Sequence, residues 1–204
     1  LRSQEGNGPM QSYNFVKSIR KDNPNIALSG VFAQRNQEPV ELNIKTEKGL
    51  IPITFASAYV GGSQIHCANM LCLNNLGSTR EAFTNTNRLR IVALHSWNKA
   101  THNQLKATLK SMIRENLVDI AIGSGPHVEE KIEVIRTKHG NKILATSLGN
   151  FIHPSLSAQA NNVALQAKWN YDEKSKRFDL LKVNAVKISC DGGSCLNKGT
   201  FKVF

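Results

Sequence analysis

The apolar positions of this chain follow two periods, one typical of strands and one typical of a helix. Apolar runs over residues 90–94 and 118–122 predict two buried strands. Between them, Leu105 and Leu109 belong to a helical repeat of apolar residues that predicts an amphipathic helix over residues 101–117. A strand, a helix and a second strand of these lengths predict a parallel, right-handed crossover.

The rest of the chain is dominated by patterns typical of antiparallel strands. A short amphipathic helix is expected over residues 11–22 and a strand over residues 26–32. Alternating apolar residues around polar or glycine-containing turns predict hairpins over residues 40–59, 131–147 and 163–189. The predicted class is therefore α/β, with much antiparallel strand.

The length of 204 residues suits one domain, so residues 1–204 are expected to form a single unit. Within it, residues 61–87 are expected to be a long polar loop, and residues 163–204 a C-terminal hairpin and tail. No apolar run reaches the roughly 18–20 residues that cross a bilayer. The first residues do not resemble a signal peptide, so we expect that any targeting segment has been lost from the N-terminus.

The net charge of +11, from 26 Lys and Arg against 15 Asp and Glu, favours a polyanionic partner. Such a partner could be nucleic acid, an anionic membrane or an acidic polymer. The basic residues are spread along the chain without a zinc finger or an aromatic RNA-binding motif, so nucleic acid is not expected. A basic surface that serves only solubility is the alternative.

The four cysteines form two pairs with matched spacing, Cys67 with Cys72 and Cys190 with Cys195. An even number of cysteines in short, matched spacings predicts two local disulfides and an oxidising compartment outside the cytoplasm. A zinc site built from all four cysteines is the alternative, although a spacing of two residues is more usual in such sites.

Two histidines follow the two central strands. His95 ends the first apolar run, and His127 lies in a Gly/Pro loop after the second. A histidine at the end of a buried strand is well placed to bind a metal ion or to transfer protons. The alternative is a loop histidine that only makes hydrogen bonds. His102 and His153 are lesser candidates, and His139, in a hairpin turn, is expected to be solvated.

Three motifs around these histidines resemble the poly-gamma-glutamate capsule synthesis (CapA) family. Residues 94–98 are similar to the family's strand that ends in His-Trp-Gly. Residues 123–128 resemble its Gly-His-His-Pro-His-Val loop, with Ser124 and Gly125 in place of two histidines. Residues 147–151 match its Ser-Leu-Gly-Asn-Phe motif in full.

The resemblance covers roughly residues 6–155 in order, and it implies a fold and a role. The implied fold is the C-terminal part of a calcineurin-like metallophosphoesterase sandwich, in which helices flank two mixed β-sheets. The family's N-terminal portion, with its Asp-x-His, Gly-Asp and Asn-His metal motifs, is expected to be missing from this chain and to act as its partner. The implied role is capsule synthesis in the periplasm or at the bacterial cell surface. Poly-gamma-glutamate or a similar anionic polymer and other capsule synthesis proteins are the implied partners.

The resemblance also implies a metal-dependent hydrolase site. His95 and His127 would each bind one of two divalent ions, for which Mn, Fe and Zn are candidates. Asn150 would join them in catalysis as a hydrogen-bond donor or support. Gly125 cannot replace an imidazole, and Ser124 is a poor substitute because a neutral hydroxyl binds a divalent ion weakly.

These departures leave open whether the chain is an enzyme. The family tends to have a glycine and then an acidic residue where this chain has Asn98 and Lys99. The alternative to a hydrolase is therefore a degenerate, non-catalytic module of the same fold that binds an anionic polymer or a synthase partner.

Overall fold

The computed structural model describes residues 14–15, 17–19, 21–23, 31–32, 40–47, 49–60, 72–73, 80, 83–96, 98–149, 162–190 and 201–203. The strands are β1 (Val31–Phe32), β2 (Val40–Thr46), β3 (Gly49–Val60), β4 (Cys72–Leu73), β5 (Leu89–Ser96), β6 (Ile120–Ser124), β7 (Ile132–Thr137), β8 (Gly140–Ala145), β9 (Asn162–Asp172), β10 (Arg177–Cys190) and β11 (Phe201–Val203). A 16-residue helix, α1, spans Lys99–Arg114.

A six-stranded mixed sheet with the order β2-β3-β5-β6-β8-β7 forms the centre of the protein. Its four inner strands are parallel, and the edge strands β2 and β7 are antiparallel to their neighbours. A three-stranded sheet has the order β11-β10-β9, and β1 pairs with β4. In the described part of the chain these two smaller sheets are antiparallel, whereas the family resemblance implied two mixed sheets.

The helix α1 begins two residues before its predicted start because Asn98 caps it. The Asn98 side chain accepts a hydrogen bond from the Thr101 amide at 2.9 Å, and the Thr101 hydroxyl accepts one from the Asn98 amide at 3.0 Å. This reciprocal pair satisfies two amides at the first turn. The helix ends at Arg114, three residues before its predicted end at residue 117. Two residues after Arg114, Asn116 has a φ of 59°, in the left-handed region that commonly follows a helix.

The six-stranded sheet buries apolar side chains on both faces. Side chains alternate along a strand, so Val92 and Leu94 of β5 pack with Leu105 of α1, whereas Leu89 and Ile91 face the β9–β10 hairpin. The result is three layers: α1, the central sheet and the hairpin. The same alternation puts the side chain of His95 on the hairpin side and that of Ser96 on the helix side.

A buried ion cluster lies at the amino ends of β5 and β6, opposite the end that carries His95. Asp119 accepts hydrogen bonds from the Arg90 amide at 2.9 Å and from Arg90 Nε and Nη2 at 3.1 and 3.0 Å. Lys142 also donates to Asp119. Burial raises the pKa of Asp119, but the hydrogen bonds and charges of Arg90 and Lys142 outweigh it and hold that pKa below its usual value.

The structure confirms the parallel crossover and the three predicted hairpins, with ends shifted by a few residues. All described positions within residues 14–22 are helical, as predicted. One expectation needs correction: Cys72–Leu73, within the predicted irregular loop, form a strand paired with Val31–Phe32. No described helix is long and apolar enough to span a membrane.

The disulfide prediction remains a prediction. Cys67 and Cys195 lie outside the described residues. Cys72 and Cys190 lie in β4 and β10, but only their backbone is described.

Candidate functional site

His95 and Ser124 lie side by side at the carboxyl ends of two parallel strands. They are register partners in the β5–β6 pair, and both side chains are exposed. The Ser124 hydroxyl lies 2.9 Å from Nδ1 of His95, within hydrogen-bond distance. Ser124 therefore orients the His95 ring, although the family motif has a histidine at this position.

His127 lies in the loop after β6 and is also exposed. Its φ of 62° places it in the left-handed region, which few residues other than glycine adopt. Burial lowers the pKa of His95, and the charge of His127 lowers the same pKa further. The two imidazoles therefore lie close enough to interact, and His95 is held toward the neutral form that binds metal ions.

Gly125 is the residue that lets the loop approach β5. Its φ is +141°, and a Cβ at this position would overlap the carbonyl oxygen and the hydroxyl of Ser96. No side chain of any size fits between the loop and Ser96 in this conformation. A histidine here, as in the family motif, would require a different loop path.

Below the loop, Ser96, His102 and Glu130 form a chain of hydrogen bonds. Nδ1 of His102 lies 3.1 Å from the Ser96 hydroxyl, and Nε2 lies 3.1 Å from Oε2 of Glu130. A hydroxyl, an imidazole and a carboxylate in this order match the composition of a hydrolytic triad. Ser96 is only 2% exposed and its hydroxyl donates to the Ser124 carbonyl at 3.2 Å, so it cannot reach a substrate. The chain of bonds instead holds the loop in place.

The Glu130 carboxylate accepts hydrogen bonds from three side chains of two segments. His102 and Lys106 of α1 and Thr146 after β8 all bond to its carboxylate. Partial burial raises the pKa of Glu130, but these hydrogen bonds and the charge of His102 outweigh it and lower the pKa to about 2. The loop is also tied by the Ser147 hydroxyl, which donates to the Val128 carbonyl at 2.6 Å.

The lowered pKa of Glu130 predicts a loss of stability in acid. Its folded pKa of about 2 lies below the ordinary 4.5, so its stabilisation is complete above pH 4.5 and disappears as pH falls toward 2. Glu130→Gln should remove this part of the pH dependence of Tm, measured by circular dichroism between pH 5 and about 2. The neighbouring exposed Glu129 provides the control, because Glu129→Gln makes the same charge change and should follow the parent. An unchanged slope in Glu130→Gln would contradict the assignment.

The structure thus places His95 and His127 at the same edge of the sheet, and their roles remain predictions. His102 is buried in the hydrogen-bonded chain described above, and His139 is exposed in its turn, as expected. Asn150 and His153 lie outside the described residues. No group of three or more His, Cys, Asp or Glu side chains among the described residues is placed to hold a metal ion. Catalytic zinc sites use three protein ligands, so His95 and His127 do not by themselves complete such a site.

The sequence patterns did not reveal the Ser96–His102–Glu130 chain. His102 and Glu130 are 28 residues apart and belong to different elements, so no local period connects them. The sequence offered one local clue to this chain of bonds. Ser96 directly follows His95, so its side chain was expected on the opposite face of the strand from His95.

Comparison with known proteins gives little beyond this geometry. No family model and no curated protein matches the chain. One similar solved structure is a protein from Mycoplasma pneumoniae described as a novel phosphatase, with 17% identity and a TM-score of 0.44. The match covers 73% of this chain and 57% of that one, so this chain spans little more than half of its neighbour. At this score and identity the likeness decides neither fold nor function.

Proposed function

We propose that this chain is a CapA-like protein of bacterial surface-polymer synthesis and a metal-dependent hydrolase of the phosphoesterase type. His95 and His127 would hold the divalent metal ion, with Mn, Fe and Zn as candidates. The observation that carries the proposal is the placement of two exposed histidines at the same edge of the sheet, His95 at the carboxyl end of β5 and His127 in the loop that follows β6. The motifs over residues 94–98, 123–128 and 147–151 support it.

In this proposal the chain's own residues orient the ligands. Ser124 fixes the His95 ring through Nδ1, and the Ser96–His102–Glu130 chain holds the loop that carries His127. A bound divalent ion would supply a Lewis acid and an activated water for phosphoester hydrolysis. Two imidazoles do not complete such a site, so we propose that the metal motifs of the family's N-terminal portion supply the remaining ligands, with Asn150 as a hydrogen-bond donor or support.

The proposed partners and location follow from charge and resemblance. The net charge of +11 favours an anionic polymer such as poly-gamma-glutamate over a neutral one. Other capsule synthesis proteins and the family's N-terminal portion are proposed as protein partners. Disulfides between Cys67 and Cys72 and between Cys190 and Cys195 would suit an extracytoplasmic location.

A second candidate function is non-catalytic binding of an anionic polymer. Two observations favour it: Gly125 has no room for a side chain, and Ser124 uses its hydroxyl on His95. Both positions carry histidine in the family motif, so a metal centre here would have fewer ligands.

Metal content separates the two candidates. We expect the purified protein to bind Mn²⁺ or Zn²⁺ in elemental analysis and in calorimetric titration. His95→Ala and His127→Ala should each weaken that binding by about tenfold or more, because each removes a ligand. His139→Ala is the matched control: it removes an exposed histidine in the β7–β8 turn and should leave metal binding unchanged.

A protein that binds no metal under these conditions would contradict the hydrolase. The binding module then predicts that poly-gamma-glutamate binds equally well with and without a chelator and more weakly as salt increases. Equal affinity for DNA would contradict the specific binding module, because it would indicate binding through charge alone.

A further inference from the structure

A cavity of about 620 Å³ separates the central sheet from the β9–β10 hairpin. Ser124, Leu148 and Gly149 line it at the carboxyl ends of the parallel strands, and Leu89 and Trp169 line it near their amino ends. It therefore runs lengthwise between the two sheets and reaches the residue that orients His95.

The cavity is an elongated groove that is partly open to solvent. Val163 and Trp169 both line it, and the stretch of β9 between them is about 20 Å long at about 3.3 Å per residue. Spread over about 20 Å of strand, the cavity of about 620 Å³ has a small mean cross-section. A space of this form suits an extended hydrocarbon chain better than a ring system of the same volume.

The chemistry of the lining agrees with the shape. Apart from the Ser124 hydroxyl and the indole N–H of Trp169, which is buried without a hydrogen-bond partner in the described part of the chain, the side chains are apolar, and none of the described lining residues carries a charge. A charged group inside would lose hydration and gain at most the single indole N–H donor of Trp169, so the charged part of a ligand is better accommodated outside. The end at Ser124 is the suitable exit, because Ser124 bonds to the exposed His95 on the same face of the sheet.

We propose that this cavity binds the alkyl chain of a single-chain amphiphilic phosphoester whose head group lies at His95 and His127. The placement of the head group rests on the proposed function. The binding of the chain rests on the cavity alone and holds whether or not a metal ion is bound.

The test compares dodecyl phosphate, kept below its micelle concentration, with ethyl phosphate. Burial of the longer chain should make dodecyl phosphate bind at least about 100-fold more tightly. The chain has two tryptophans, so Trp97→Phe leaves Trp169 as the single tryptophan reporter at the far end of the cavity. Its emission should shift to shorter wavelength with dodecyl phosphate and not with ethyl phosphate. Equal affinities, or no response of Trp169, would overturn the proposal.

Neighbouring positions on β9 give matched variants. Ala167 lines the cavity and Lys168 is exposed on the opposite face, so Ala167→Phe should abolish the preference for the long chain and Lys168→Phe should keep it. Ala167→Leu, a smaller intrusion at the same lining residue, replaces Ala167→Phe if circular dichroism shows that variant to be unfolded. Equal chain preference in the cavity and surface variants would overturn the proposal.

A chelator separates this inference from the proposed function. If the protein binds no metal, the preference for dodecyl over ethyl phosphate should still be present, and only the metal-dependent part of head-group binding should be missing. If the protein binds metal through the two histidines but shows no chain preference, the hydrolase stands and the cavity proposal fails.

Discussion

Replacing Asp119 with alanine is expected to destabilise the folded protein by about 3–5 kcal/mol, a large fraction of the stability of a typical domain. The Asp119 side chain is 7% exposed, and the carboxylate is the shared partner of Arg90 and Lys142, which are 4% and 6% exposed. Without it, two cations would remain buried beside each other at the amino ends of β5 and β6.

The size of this effect comes from the charges left behind rather than from the lost attraction. A buried ion pair contributes little net stability when it is complete, because desolvation offsets its Coulomb energy. Removal of one member leaves the desolvation of the others uncompensated. The exposed pair of Arg177 and Asp179 provides the contrast, since pairs in solvent are worth about 0–1 kcal/mol.

Urea unfolding followed by circular dichroism measures the difference. Asp119→Ala should lower the midpoint strongly, and Asp179→Ala should leave it nearly unchanged. Because the cluster lies at the end of the sheet opposite His95, Asp119→Ala should show the same metal affinity as the parent, whatever that is, under conditions in which it is folded. Similar midpoints for the two variants would show that the cluster does not depend on Asp119 for its charge balance.

Gly125→Ala is expected to have the second largest effect, and Gly140→Ala is its control. Both glycines have positive φ, +141° and +105°, so alanine should cost about 1–3 kcal/mol of backbone strain at either site. Only at Gly125 does the new Cβ meet other atoms, the carbonyl oxygen and hydroxyl of Ser96. Overpacking of this kind adds about 1–3 kcal/mol.

Two measurements check this comparison. The free energy of unfolding should decrease more for Gly125→Ala than for Gly140→Ala. Backbone amide shifts in nuclear magnetic resonance spectra should move over residues 123–130 only in Gly125→Ala, because the loop must leave Ser96 to admit the methyl group. An equal loss of stability in the two variants, with no change in the loop, would mean that glycine is needed at position 125 only for its positive φ and not for the close approach to Ser96.

The local patterns of the chain predicted most of its elements and the relative position of two candidate site residues. The helical period through Leu105 and Leu109 predicted α1, and the apolar runs before and after it predicted two strands. Those strands were expected to be parallel, because a helix between two strands carries the chain back to the end of the sheet where the first strand began. Parallel strands end at the same edge of a sheet, so the sequence already brought His95 near the loop of His127. Asn98 stood out in the sequence only as a departure from the family motif, and the capping of the helix by its side chain was not anticipated.

Contacts between distant segments required the tertiary structure. Ser96, His102 and Glu130 come from a strand, a helix and a loop, and a pattern of short period carries no information about such a meeting. The same holds for the contact of Gly125 with Ser96, for the charges gathered around Asp119, and for the cavity between two sheets that are remote in sequence. Periodicity records which face of an element avoids water. The packing of those faces decides which polar groups become partners and where a gap between the sheets remains.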